Sequence, residues 1–133
     1  MPTKLPVYLS GTITRFKGDG RKLGYPTANI TAETDLKDGV YFGFADLAEW
    51  KHQPALVFTG IPTTMGETAR RVEAYLLDIP DNDYYSEILS IELHAYHRPN
   101  QNFNSIDDLK NAIRADELSF RKWLAHSQGK EGV

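Results

Sequence analysis

Glu87-Ile-Leu-Ser-Ile-Glu-Leu-His-Ala-Tyr96 is the stretch that decides the fold class. Ile91, Leu93 and Ala95 alternate here with Glu92, His94 and Tyr96. Successive side chains of a strand leave opposite faces, so a period of two predicts a strand with one face on a core. The same signal recurs toward the N-terminus. Val7–Thr14, Thr27–Ile30, Gly39–Ala45, Ala55–Thr59 and Arg71–Leu77 each read as a short extended run, and Lys37-Asp-Gly39 supplies a turn before the third. Six strands with short connections and no interleaved helices predict an antiparallel sheet, closed into a barrel or folded as a sandwich. Gly39 and Gly43 fit the bends that a small barrel needs.

Toward the C-terminus the period changes. Ile106, Leu109, Ile113, Phe120 and Leu124 recur at helical spacing. Ser105 precedes them as an N-cap, with Asp107 and Asp108 in the first turn, where the helix dipole favours negative charge. One C-terminal helix packed on the sheet is expected, with residues 126–133 as a frayed polar tail. The 133 residues suit a single domain, 1–133. There are no cysteines, which excludes disulfides and thiolate metal sites. No apolar run approaches the ~20 residues of a membrane helix, and no signal-peptide core opens the chain. These features predict a cytoplasmic protein that does not use a membrane.

The formal charge is −3, but it is unevenly spread. Residues 11–30 hold Arg15, Lys17, Arg21 and Lys22 against Asp19 alone, so this segment carries +3 and the remainder −6. A local basic loop on an acidic protein suits a small anion, whereas nucleic acid needs a broad basic face. Inside this segment lies Gly18-Asp-Gly-Arg-Lys-Leu-Gly-Tyr-Pro-Thr-Ala-Asn29. Glycines let a backbone approach a ligand closely. Arg21 and Lys22 can meet phosphate oxygens. Thr27 and Asn29, one residue apart, leave the same face of a strand and offer the neutral oxygens that Mg²⁺ accepts. The glycine spacing is neither a dinucleotide fingerprint nor a Walker A loop. A phosphate site here therefore sits on a β scaffold. A surface turn is the alternative reading of the same residues.

Glu73 interrupts the apolar run Val72-Glu-Ala-Tyr-Leu-Leu-Asp78. It suits a general base facing a substrate hydroxyl, or a solvent-facing strand position. The polar segment 62–71 before it can close over a substrate or serve as an ordinary connection. Arg98, Asn102 and Phe103 lie between the last strand and the helix and can flank a planar ligand; Phe103 fits a core staple equally. The four histidines lack metal-ligand spacing, and no serine sits in a nucleophile elbow.

Taken in order along the chain, these residues resemble the riboflavin kinase family. The resemblance is carried by Gly11, Gly18 to Ile30, Asp38-Gly-Val-Tyr-Phe-Gly43, Val72 to Asp78, and Arg98 through Leu109. It implies a six-stranded antiparallel Greek-key closed barrel with a C-terminal helix. It implies Mg²⁺-dependent transfer of the ATP γ-phosphate to the ribityl 5′-hydroxyl of riboflavin, giving FMN and ADP. By the same resemblance Glu73 is the catalytic carboxylate and Thr27 and Asn29 are metal and ATP ligands. Gly18, Gly20, Arg21 and Lys22 then form the ATP-side loop, and Arg98, Asn102 and Phe103 belong to the flavin side. The implied partners are riboflavin, FMN, ATP and ADP, with no nucleic acid and a monomeric state. The adenylyltransferase often fused to such domains has no counterpart here, so the reaction is expected to stop at FMN. Phe16, Ile61, Ser86 and Asn100 depart from the residues usual in the family. A flavin- or nucleotide-binding sensory module with weakened catalysis on the same barrel is the alternative.

Overall fold

The computed structural model describes residues 5–14, 27–31, 36–61, 71–79 and 87–131; for residue 27 and residues 127–131 it describes the backbone alone. Among the described residues there are six strands: β1 Val7–Thr12, β2 Thr27–Ile30, β3 Gly39–Leu47, β4 Trp50–Gly60, β5 Arg71–Leu76 and β6 Ile88–Arg98. The helix α1 follows at Ile106–Glu131. All six strands belong to one antiparallel sheet in the order β1-β6-β3-β4-β5-β2. β3, β4 and β5 run as a meander and β6 returns beside β3, which is the Greek-key arrangement expected from the sequence.

The sheet curls enough to bring its two edges together. The Thr14 amide donates to the Asn29 carbonyl at 2.9 Å, an isolated antiparallel bridge beyond the end of β1. Among the described residues no ladder runs between β1 and β2. The closed barrel implied by the resemblance is thus an open, curled sheet whose edges approach near Thr14 and Asn29. The physical reason is length: β2 has only four residues, so its outer edge offers few groups for a second ladder.

Strand alternation sorts the side chains into two apolar layers. Ile30, Tyr41, Ala45, Val57, Val72, Ala74, Leu89, Ile91 and Leu93 fill the concave interior. Val40, Phe42, Leu56, Tyr75 and Leu77 face the other way and meet Ile113, Phe120 and Leu124 of α1. Phe42 stacks on Phe120 with centroids 4.9 Å apart. Burial of side chains of this size stabilises by roughly 1.5–3 kcal/mol each.

Three departures from the sequence reading have local causes. β4 begins at Trp50 rather than Ala55, although Pro54 argues against a strand. Pro54 points its carbonyl toward β5, accepting from the Leu77 amide at 2.9 Å just past the end of that strand. Its missing N–H therefore falls where no ladder continues. β6 changes face along its length. Gly43 pairs with Leu93 but Phe42 pairs with Ala95, so one extra residue is accommodated there. Ala95 consequently packs on the helix side and Tyr96 turns inward, edge-on to Tyr41 at 5.2 Å. A second shift between Val40 and Tyr41 does the same at His97. Lastly, α1 continues to Glu131, where a frayed tail was expected from residue 126. Ala125, Gln128, Lys130 and Glu131 are good helix formers, and one Gly costs only about 1 kcal/mol.

The helix is tied down at three points. Ser105 Oγ accepts from the Asp108 amide at 3.1 Å, the N-cap expected from the sequence. Asp116 grips β6, as detailed below. Arg121 donates to Asp78 and Glu117, and these two carboxylates raise its pKa further above its ordinary value.

Candidate active site

β2 and β5 pair so that Asn29 lies directly opposite Glu73, and Thr27 opposite Tyr75. The neighbouring residues Ala28, Ile30, Val72 and Ala74 belong to the concave interior. Asn29 and Glu73 therefore share the outer, helix-side face. Both are buried, at 7% and 8% exposure. A Glu in this position cannot be the solvent-facing residue that its composition permits.

On the other side of β5, Glu73 pairs with Phe58 of β4. Phe58 pairs with Val40 of β3, and Val40 with Arg98 of β6. One row thus crosses five strands: Asn29, Glu73, Phe58, Val40, Arg98. Glu73 thus has an amide residue beside it on one neighbouring strand and an aromatic one on the other. Phe58 packs on Tyr75 with centroids 4.7 Å apart.

Two polar features of this row bear on ligand chemistry. The side-chain oxygen Oδ1 of Asn29 is buried and has no hydrogen-bond partner among the described residues. A buried acceptor left without a donor is costly, about 1–3 kcal/mol, and points to a ligand that fills it. An amide oxygen is a hard donor of the kind a Mg²⁺ ion takes while keeping waters and phosphate oxygens as its other ligands. Among the described residues no group of three or more His, Cys, Asp and Glu could hold a metal. Glu73 Oε2, in turn, lies 2.9 Å from Nη2 of Arg71, with both side chains buried.

Arg98 occupies the far end of the row but turns to the helix. Its Nε and Nη2 donate to the two oxygens of Asp116 at 2.8 and 2.7 Å, a bidentate pair. His97 Nε2 lies 3.2 Å from the same carboxylate. Two consecutive β6 residues reach one acid because of the register shift at this point. Beyond them, Asn100 Nδ2 donates to the Thr59 carbonyl at 2.8 Å and fixes the connection to the end of β4. Asn102 is exposed and Phe103 half-buried in that connection.

The sequence reading named Glu73, Asn29 and Thr27, and the structure brings their positions together on two paired strands. Gly18, Gly20, Arg21 and Lys22, the departing residues Phe16 and Ser86, and the segment 62–70 lie outside the described residues, as does the Thr27 side chain. Arg71, Phe58 and Asp116 were missed. Arg71 had a signal: it is two residues from Glu73 and so on the same strand face. Asp116 had one as well, as an acid inside the apolar helical stripe between Ile113 and Phe120.

The riboflavin kinase family model (Flavokinase) matches residues 3–124. A trifunctional protein of Mycoplasmoides gallisepticum is 34% identical over 131 residues, covering 96% of this chain and 20% of that protein. The riboflavin kinase of Homo sapiens is 31% identical over 127 residues, covering 90% of this chain and 82% of the human protein. Among solved structures, riboflavin kinase from Trypanosoma brucei superposes with a TM-score of 0.71 at 23% identity, covering 95% of this chain and 84% of that one. At that identity the structural likeness speaks for the fold.

Proposed function

The chain belongs to the riboflavin kinase family and is a riboflavin-phosphorylating domain that yields FMN; we propose that it does so by direct transfer of the γ-phosphoryl group of ATP, with Glu73 as general base. The observation that carries this reading is the pairing of Asn29 with Glu73, both buried on one face of β2 and β5. Glu73 orients the ribityl 5′-hydroxyl and accepts its proton. The hydroxyl oxygen forms the new bond to the γ-phosphorus as the bond to the bridging β,γ oxygen breaks, and ADP leaves. Such a transfer relies mostly on positioning and charge.

Asn29 Oδ1, together with Thr27, would hold the Mg²⁺ of the nucleotide complex. A metal held by these two residues would supply charge neutralisation at the phosphates. Gly18, Gly20, Arg21 and Lys22 form the loop over the phosphates. Phe58 supplies an apolar wall beside the base. Arg98, clamped by Asp116, holds in place the connection that presents Asn102 and Phe103 to the flavin. The substrates are small molecules. No helix among the described residues is long and apolar enough to cross a membrane. The reading includes a cytoplasmic monomer, without nucleic acid.

The test is to incubate the protein with riboflavin, ATP and Mg²⁺ and to resolve flavins by chromatography. FMN and ADP appear in equal amounts. Flavin binding with no ATP consumption would mark the chain as a sensory module instead.

A further inference from the structure

We propose that Arg71 is a positioning residue for the reaction: it holds the Glu73 carboxylate in the orientation that meets the substrate hydroxyl. The proposal rests on the reading of Glu73 as base. Arg71 opens β5 and pairs with Gly60 of β4, two residues before Glu73 on the same face of the strand. The side chains are 5% and 10% exposed, and Nη2 stands 2.9 Å from Oε2.

Glu has three rotatable bonds, and a strand conformation does not by itself select the carboxylate's direction. A charge-assisted bond from a buried guanidinium does. It ties Oε2 to Arg71 and so fixes the plane of the carboxylate that takes the proton. The pair also lets an acid sit in a buried row without standing as a lone charge. Because efficient transfer needs the base placed to within a fraction of an ångström, loss of the guanidinium reads out in turnover rather than in substrate affinity.

The experiment is a double-mutant cycle on the full chain with Arg71→Met, Glu73→Gln and the combined variant. It measures kcat and KM for riboflavin and ATP, and riboflavin binding by flavin fluorescence. Arg71→Met is expected to lower kcat about 10- to 100-fold with binding unchanged. In the Glu73→Gln background the same change is expected to have no further effect, because no base remains to be placed. The combined variant removes the whole buried pair and leaves no orphan charge, so it keeps the test decisive if Arg71→Met alone does not fold. Parent-like kcat in Arg71→Met overturns the proposal. So does a further fall of about tenfold when Arg71→Met is added to Glu73→Gln. Parent-like kcat in Glu73→Gln is a separate outcome: it overturns the assignment of the base itself.

Discussion

At the scale of single residues, the site is one cross-strand pair and what surrounds it. Glu73 faces Asn29 because β2 and β5 pair in this register and no other. A slip of one residue would send the acid into the concave core among Val57 and Ala74. Removing a general base typically costs ~10²–10⁴-fold in rate. Glu73→Gln is therefore expected to lower kcat by that order while MgATP affinity persists; isothermal titration with a non-hydrolysable analogue checks the second half. Asn29→Ala removes the buried oxygen that has no partner within the described chain. It is expected to raise the KM for MgATP about tenfold or more, with riboflavin affinity kept, since each tenfold corresponds to roughly 1.4 kcal/mol of lost interaction. An unchanged Mg²⁺ titration of activity would sink the ligand role. Glu73, Asn29 and Thr27 were legible as residue types at telling positions. For Arg71 the spacing from Glu73 was legible but the pairing was not, because a charge in a sequence does not say whether water or a carboxylate receives it.

At the scale of elements, the junction of β6 and α1 does most of the assembly. Asp116 is 2% exposed and binds both Arg98 and His97. Cutting a buried pair on one side strands the other charge, at about 3–5 kcal/mol. Arg98 is 21% exposed and can recover some hydration, so Asp116→Ala is expected at the lower end, about 3 kcal/mol, measured by urea unfolding. The same variant should weaken flavin binding, because Arg98 no longer anchors the segment holding Asn102 and Phe103. Loss of stability with flavin affinity intact would separate the anchor from the site. Gly43 governs the neighbouring irregularity of β6: a Cβ there would lie 1.9 Å from the Glu92 carbonyl oxygen. Backbone cannot yield as a side chain does, so Gly43→Ala is expected to cost at least the ~1–3 kcal/mol of ordinary overpacking, visible as a lower Tm. The helix itself was legible from Ser105 and its apolar period. The shifts in β6 were not, since Ala95 and Tyr96 continue an unbroken alternation in the sequence and exchange faces only in the sheet.

At the scale of the whole molecule, the curl of the sheet brings its two edges together at the bridge between Thr14 and Asn29. The same residue that joins the edges belongs to the proposed nucleotide site. Binding there should stabilise the fold by mass action, about 2.7 kcal/mol at a ligand concentration of 100 times Kd. Thermal unfolding is thus expected to rise with MgADP in the parent and to rise much less in Asn29→Ala; an equal rise in both would place the nucleotide elsewhere. The sequence by itself determined which segments are strands, where the helix is capped, and which acid, amide and hydroxyl are candidates for the chemistry, because hydrophobic period and side-chain type are local properties. Only the tertiary structure decided the sheet order β1-β6-β3-β4-β5-β2, the incomplete closure of the barrel, the faces of Ala95 and Tyr96, and the burial of Arg71 against Glu73. Each of these depends on which strand lies beside which, and strand pairing joins residues far apart in the chain that carry no record of one another in their local pattern.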